Sequence, residues 1–298
     1  MLKFICAAVI AAAPLTMAAQ PAAAEADAAA FQPTRFSVLV EGEGSDVILI
    51  PGLSSPRDVW DGARAALRGR HRLHLVQIAG FGGTEPGPNS GDGILEGTVA
   101  ELRRYIAANG LQRPAVIGHS MGGLIGLMLA QEAPDMVGRL MVVDALPFIG
   151  ILFDPAATAG SIAPRAAAMR DMMAAATPDQ RRAAAAAVAA SLVRSEAARA
   201  LVARWMLESN AGVSSRAMYE DMVTDVRPGL AAIRIPVTVL YAWAEGSLPE
   251  ARAAALFGEA YRALPGVRMA GIGESAHFLM LDQPERFGAA LAEFLADR

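Results

Sequence analysis

One serine and one histidine in this 298-residue chain have the surroundings that covalent chemistry requires. Gly118-His119-Ser120-Met121-Gly122 sets a serine between two glycines at the spacing G-x-S-x-G. The pattern is weak on its own in a chain with 28 glycines, and its context decides the reading. Pro114-Ala115-Val116-Ile117 before it has the composition of a short buried strand, and the apolar run from Met121 to Gln131 that of a helix. A sharp strand-to-helix turn leaves no room for bulk two residues either side of the serine, hence Gly118 and Gly122. It exposes the serine oxygen beside a helix N-terminus, where developing negative charge is favoured. Ser120 is the expected nucleophile.

A serine hydroxyl attacks poorly unless a base takes its proton, normally histidine. The chain has four histidines. His71 and His74 flank a strand in a stretch with Arg64, Arg68, Arg70 and Arg72, which reads as a solvated face. His119 lies inside the turn, where packing or a local bond is its expected role. His277 follows a strand and precedes the last helix, in Gly271-Ile272-Gly273-Glu274-Ser275-Ala276-His277-Phe278. Elimination and position agree on His277 as general base.

Several other chemistries are excluded or unneeded. Cys6 is the single cysteine and lies ahead of the expected start of the mature chain, so thiolate metal sites and disulfides are ruled out there. A serine mechanism requires neither metal nor cofactor. The net charge of −4 and a pI near 5.6 give no electrostatic case for nucleic acid or an anionic membrane. At 54% hydrophobic and 19% charged, the chain has the composition of a globular protein.

The elements that must position these residues begin after a leader. Lys3, the apolar run from Phe4 to Leu15 and the A-x-A pattern Ala22-Ala23-Ala24 predict a cleaved signal peptide over 1–24. Cuts after Ala18 or Ala19, or an uncleaved anchor, are the other readings. The expected mature protein is exported, periplasmic or secreted, with no stable membrane association. Strand-like runs at Phe36–Val40, Val47–Ile50, Leu73–Gln77, Ala115–Ile117 and Leu140–Val143 then alternate with helical patterns at Arg57–Leu67, Ile94–Ala108 and Met121–Gln131. From 147 to 228 strand signals cease, and the sequence is alanine- and methionine-rich helix. Strands resume at Pro236–Tyr241 and Arg268–Ile272, and Pro284–Leu295 closes the chain as a helix. The arrangement predicts an α/β core over 25–146 and 229–298 with a helical cap over 147–228. Met169, Met172, Met173, Met206, Met218, Met222 and Trp205 of the cap read as core before ligand contacts.

From Val47 onward the chain resembles the α/β-hydrolase family, in its lid-bearing, serine-esterase-like branch. Ile50-Pro51-Gly52-Leu53, Gly80-Phe81-Gly82, the serine turn, the late histidine and Gln283-Pro284-Glu285-Arg286-Phe287 occur in family order. The resemblance implies a mostly parallel eight-stranded sheet flanked by helices, with the cap inserted after the sixth strand. It implies a triad in the order serine, acid, histidine, and an oxyanion hole from the backbone N–H groups of Leu53 and Met121. Pro51-Gly52 stands where many relatives have His-Gly, and Gln77 where relatives often carry aspartate.

For the acid, the family position after the strand at Val237–Tyr241 holds Glu245, which is the expected residue. Asp144, after the strand at Leu140–Val143, is the alternative. The function implied is hydrolysis of small apolar carboxylic esters through an acyl-enzyme, with a small-molecule ester or related acyl compound as partner. Carbon–carbon bond hydrolysis, lactone opening, perhydrolysis and acyl transfer use the same set of residues, and a non-catalytic binding protein is the rival of another class.

Overall fold

A computed structural model describes residues 31–296; the expected signal peptide lies outside the described residues. The chain runs β1 (Phe36–Glu41), β2 (Ser45–Ile50), α1 (Asp61–Leu67), β3 (His71–Ile78), α2 (Ile94–Ala108), β4 (Ala115–His119), α3 (Met121–Glu132) and β5 (Arg139–Val143). Four long helices follow: α4 (Ala159–Ala175), α5 (Pro178–Leu192), α6 (Glu196–Glu208) and α7 (Ala211–Val223). β6 (Val237–Trp243), α8 (Glu250–Ala260), β7 (Arg268–Gly273), a single turn α9 (Leu279–Asp282) and α10 (Pro284–Ala296) complete it.

Among the described residues the sheet has seven strands in the order β1-β3-β2-β4-β5-β6-β7, one fewer than the resemblance implied. β1 is antiparallel to β3 and every other pairing is parallel. Among the described residues the helical block enters after the fifth strand, β5, rather than after the sixth. Each inner strand is buried on both faces, as a parallel sheet between helices demands. Ile48, Ile50, Val116, Val142 and Val239 point to the side packed by α2, α3 and α8, while Leu49, Ile117, Val143 and Leu240 point to the side of α1 and α10. Successive residues therefore serve opposite cores, so the strands read as continuous apolar runs.

The helical block is itself divided. Phe148, Ala157, Ile162, Ala166 and Met222 form a small core between α4, α7 and the chain leading into α4. Ala189, Val193, Val202 and Trp205 of α5 and α6 join the α1–α10 core of the sheet. Trp205 and Met222 are buried, as expected, whereas Met172, Met173 and Met206 line a cavity.

His74 departs from its expected place on a solvated face. It is 2% exposed. Its ring bonds the Tyr105 hydroxyl at 2.8 Å and Asp46 at 2.9 Å. Its position on β3 between two packed strands overrides the surrounding arginines, and burial lowers its pKa. Gln77, where relatives often carry aspartate, has a structural role. Its carbonyl accepts from the Arg57 N–H at 2.9 Å and its amide donates to the Phe81 carbonyl at 2.9 Å, which ties the Gly80-Phe81-Gly82 loop to β3.

Candidate active site

Ser120 sits between β4 and α3 with φ 53° and ψ −125°, a backbone state that costs a residue with a side chain about 1–3 kcal/mol. The turn is held by bonds on both sides. The Ser120 N–H donates to Val143 O at 2.9 Å, and Ser120 O accepts from Gly123 N at 2.7 Å. The two glycines are required by contact. A Cβ on Gly118 would stand 2.1 Å from Gly122 O, and one on Gly122 would stand 2.3 Å from Ile50 O and 2.7 Å from Pro51 O. Backbone cannot yield by that much, so the elbow can close against the end of β2 only with hydrogen at both positions.

That contact brings the loop after β2 to the serine. A Cβ on Gly52 would lie 3.0 Å from the Ser120 Cβ and 3.0 Å from His119 Nδ1. Leu53 follows directly, and among the described residues no hydrogen bond engages its N–H. The Met121 N–H belongs to the first turn of α3, which has no intrahelical acceptor for it. Both donors expected for an oxyanion hole thus border the nucleophile.

The structure brings His277 to Asp144, not to Glu245. His277 Nδ1 donates to Asp144 Oδ2 at 2.7 Å, with the two side chains 24% and 14% exposed. Asp144 caps β5 in a left-handed conformation of φ 47°. Its N–H donates to Leu240 O at 2.7 Å, and its other oxygen accepts from the Ala242 N–H at 2.8 Å. Glu245 is exposed, in the turn closed by the bridge between Ala244 and Leu248. The expectation for Glu245 is corrected for a geometric reason. β6 runs on to Trp243 in register with Gly273 of β7, which carries the following turn past the imidazole, while β5 ends beside it.

The loop holding His277 is braced by groups the sequence did not single out. Asp282 accepts from the Ala276 N–H at 2.9 Å through one oxygen and from the Arg194 N–H at 2.9 Å through the other. Phe278 N–H donates to Leu192 O at 3.2 Å, joining the loop to α5. His119 is fully buried with its ring 4.6 Å from that of His277, centroid to centroid. Its Nε2 donates to the His277 carbonyl at 2.9 Å, so the sequence neighbour of Ser120 holds the loop that carries His277. Burial, and the nearby His277, hold its pKa well below the ordinary value, so the ring stays neutral. No sequence signal separates Asp282 or His119 in this role from residues that merely pack.

The helical block makes direct contacts with the loops after β2 and β3. Ser54 Oγ and Ser214 Oγ of α7 lie 2.7 Å apart, and Asn210 N–H donates to Gly80 O at 2.7 Å. A cavity of about 500 Å³ opens between α4, α5, α6 and α7 with Ser54 in its wall. Met172, Met173, Met206 and Leu207 give it an apolar, deformable lining.

The sequence pattern of the alpha/beta hydrolase fold matches residues 47–284. Among curated proteins, a pimeloyl-[acyl-carrier protein] methyl ester esterase of Aeromonas hydrophila is 34% identical over 114 residues, 38% of this chain. The chain spans only 43% of that relative's length. An esterase of the same name from Edwardsiella ictaluri is 28% identical over 254 residues, 85% of this chain and 94% of the relative. Among solved structures, the enol-lactonase of Burkholderia xenovorans superposes with a TM-score of 0.71 at 18% identity, covering 88% of this chain and 96% of the other.

Proposed function

We propose that this chain, which belongs to the alpha/beta hydrolase family, is a serine hydrolase that cleaves small apolar carboxylic esters through an acyl-enzyme. The observation that carries the reading is the 2.7 Å bond from His277 Nδ1 to Asp144, beside an elbow that strains Ser120 into φ 53°. With Nδ1 carrying its hydrogen toward the carboxylate, the Nε2 lone pair is free to take a proton. The name of the Edwardsiella ictaluri relative, an ester hydrolase matched over most of both chains, favours an ester as substrate.

In the mechanism Ser120 Oγ attacks the ester carbonyl carbon as His277 Nε2 takes its proton. The carbonyl oxygen becomes an oxyanion, held by the N–H groups of Leu53 and Met121. The tetrahedral intermediate collapses, and the alkoxide leaves as an alcohol with the proton from His277. Water then gives a proton to the same nitrogen and adds to the acyl carbon. Collapse releases the acid and returns the proton to Ser120. Asp144 orients the ring and offsets its transient positive charge. The block over 147–228 acts as a cap, and its methionine-lined cavity takes the apolar part of the substrate.

Labelling by a fluorophosphonate tests the reading. The wild-type protein should be labelled on Ser120, and Ser120→Ala should lose both the label and cleavage of p-nitrophenyl esters. Labelling of Ser54, Ser55 or Ser275 instead would overturn the mechanism, and no labelling with no turnover would favour a binding protein. We also propose export, on Lys3 and the apolar run after it. Mass spectrometry of natively expressed protein should find a mature N-terminus near Glu25 outside the cytoplasm.

A further inference from the structure

Asp221 lies on α7, the helix that touches the loop after β2, and is 8% exposed. Among the described residues no hydrogen bond or ion pair engages its carboxyl, whose oxygens keep a small accessible surface that a ligand group could meet. Its place on the helix is specific. Ser214, seven residues earlier, is on the same face and meets Ser54 at 2.7 Å. Arg216, Tyr219, Glu220 and Val223 face the other way and border a separate hollow with Asp92 and Glu96 of the α2 approach.

We propose that Asp221 is a specificity-determining residue that binds an uncharged hydrogen-bonding group of the substrate, a hydroxyl or a carbonyl carried beside the scissile ester. The inference rests on the esterase reading above.

A buried carboxyl without a partner costs stability that an apolar residue would not, so the fold gives no reason for it. Neighbouring charges do not supply a partner. On α4, Arg165 stacks over Phe153 and Arg170 pairs with Asp171 at 2.8 Å. Glu220 on α7 accepts from the N–H groups of Gly93 and Leu95 at 2.7 and 2.9 Å, and Arg227 beyond the helix pairs with Asp225. The charge that reaches Asp221 is that of His277 across the site. Burial pushes its pKa up to about 7, opposed by His277. Near neutral pH about half of the carboxyl is therefore present as the acid, whose O–H can donate to a hydroxyl or carbonyl and whose C=O can accept from a hydroxyl. A substrate carboxylate at that place would meet the remaining negative charge unpaired.

The test uses p-nitrophenyl hexanoate, its 3-hydroxy and 5-oxo relatives, the 6-amino relative and the adipate half-ester. The quantity read is the ratio of kcat/KM for each substituted ester to that for hexanoate. The wild-type protein should favour at least one oxygenated ester by about tenfold or more. Asp221→Leu should bring that ratio near unity, and Asp221→Asn, which also donates and accepts, should restore most of it. The wild-type ratio should change through a limb near pH 7 that Asp221→Asn lacks. An unchanged ratio in folded Asp221→Leu, or a wild-type preference for the amino ester or the half-ester, overturns the proposal. So does the absence of any oxygenated preference. If Asp221→Leu fails to fold, the pH limb in Asp221→Asn decides. Ester cleavage that survives Ser120→Ala would instead defeat the underlying esterase reading, which separates the two failures.

Discussion

The Asp144 carboxylate and the His277 imidazole meet at 2.7 Å although 133 residues of chain separate them. Asp144 is thus delivered by the strand next to the one that leads into Ser120, since β5 pairs directly with β4. Asp144→Asn should lower kcat by about 10³- to 10⁴-fold with little change in KM, the effect expected when the base loses its tautomer and its counter-charge. Glu245→Gln should stay near wild type. Steady-state kinetics on a p-nitrophenyl ester, with a melting curve to show each variant folded, checks both.

The chain brings backbone to backbone where Gly122 passes the end of β2. Gly122→Ala should destabilise the protein by about 3 kcal/mol or more, since a methyl 2.3 Å from Ile50 O forces the elbow and the loop after β2 apart. The measurement is denaturant unfolding beside turnover, and loss of activity should exceed loss of folded protein. Gly258→Ala, on α8 with nothing near its would-be Cβ, is the control and should fold normally.

The cavity in the helical block should set chain-length preference. Ala211 lines it at the start of α7, so Ala211→Phe narrows it. The variant should raise KM for octanoate and hexanoate p-nitrophenyl esters about tenfold relative to acetate, each lost methylene of burial being worth about 0.8 kcal/mol. A panel of chain lengths reads this directly. A uniform loss across the panel would place the cavity outside the substrate path.

What the sequence disclosed divides along local and non-local lines. The elbow was legible because Gly118, Ser120 and Gly122 answer a constraint contained within five residues, and the parallel strands because both their faces are apolar. His277, which meets Asp144 in the structure, could be singled out because few histidines compete with it. The carboxylate that meets it could not be, since one near the end of either β5 or β6 satisfies the chain order. The choice depends on where β6 stops relative to β7, which pairing register decides and residue type does not. His74 failed for the same kind of reason: β1 and β2 cover it from both sides, and neither neighbour is visible in its own stretch of sequence. Helix α8 passed unread although its buried Ala253, Phe257 and Ala260 recur at helical spacing, because alanines stand on both its buried and its exposed face and blur the stripe. Asp221 carries no motif at all, and only burial singles it out.

That burial makes a prediction about stability. The Asp221 pKa is raised from 3.8 in the unfolded chain to about 7 in the folded one. Between those values the folded state holds a proton that the unfolded state has released. Stability from this group is therefore greatest below about pH 4, falls as pH rises toward 7, and is at its lowest above that. Each unit of difference is worth about 1.4 kcal/mol, so the full cost above pH 7 is about 4 kcal/mol. A carboxamide cannot ionise, so Asp221→Asn should be close to wild type in stability at pH 4.5 and more stable by several kcal/mol at pH 8. Urea unfolding of both proteins at pH 4.5, 6 and 8 measures the difference. A gap that stays constant across the three values would mean that the folded protein leaves the Asp221 pKa near its unfolded value.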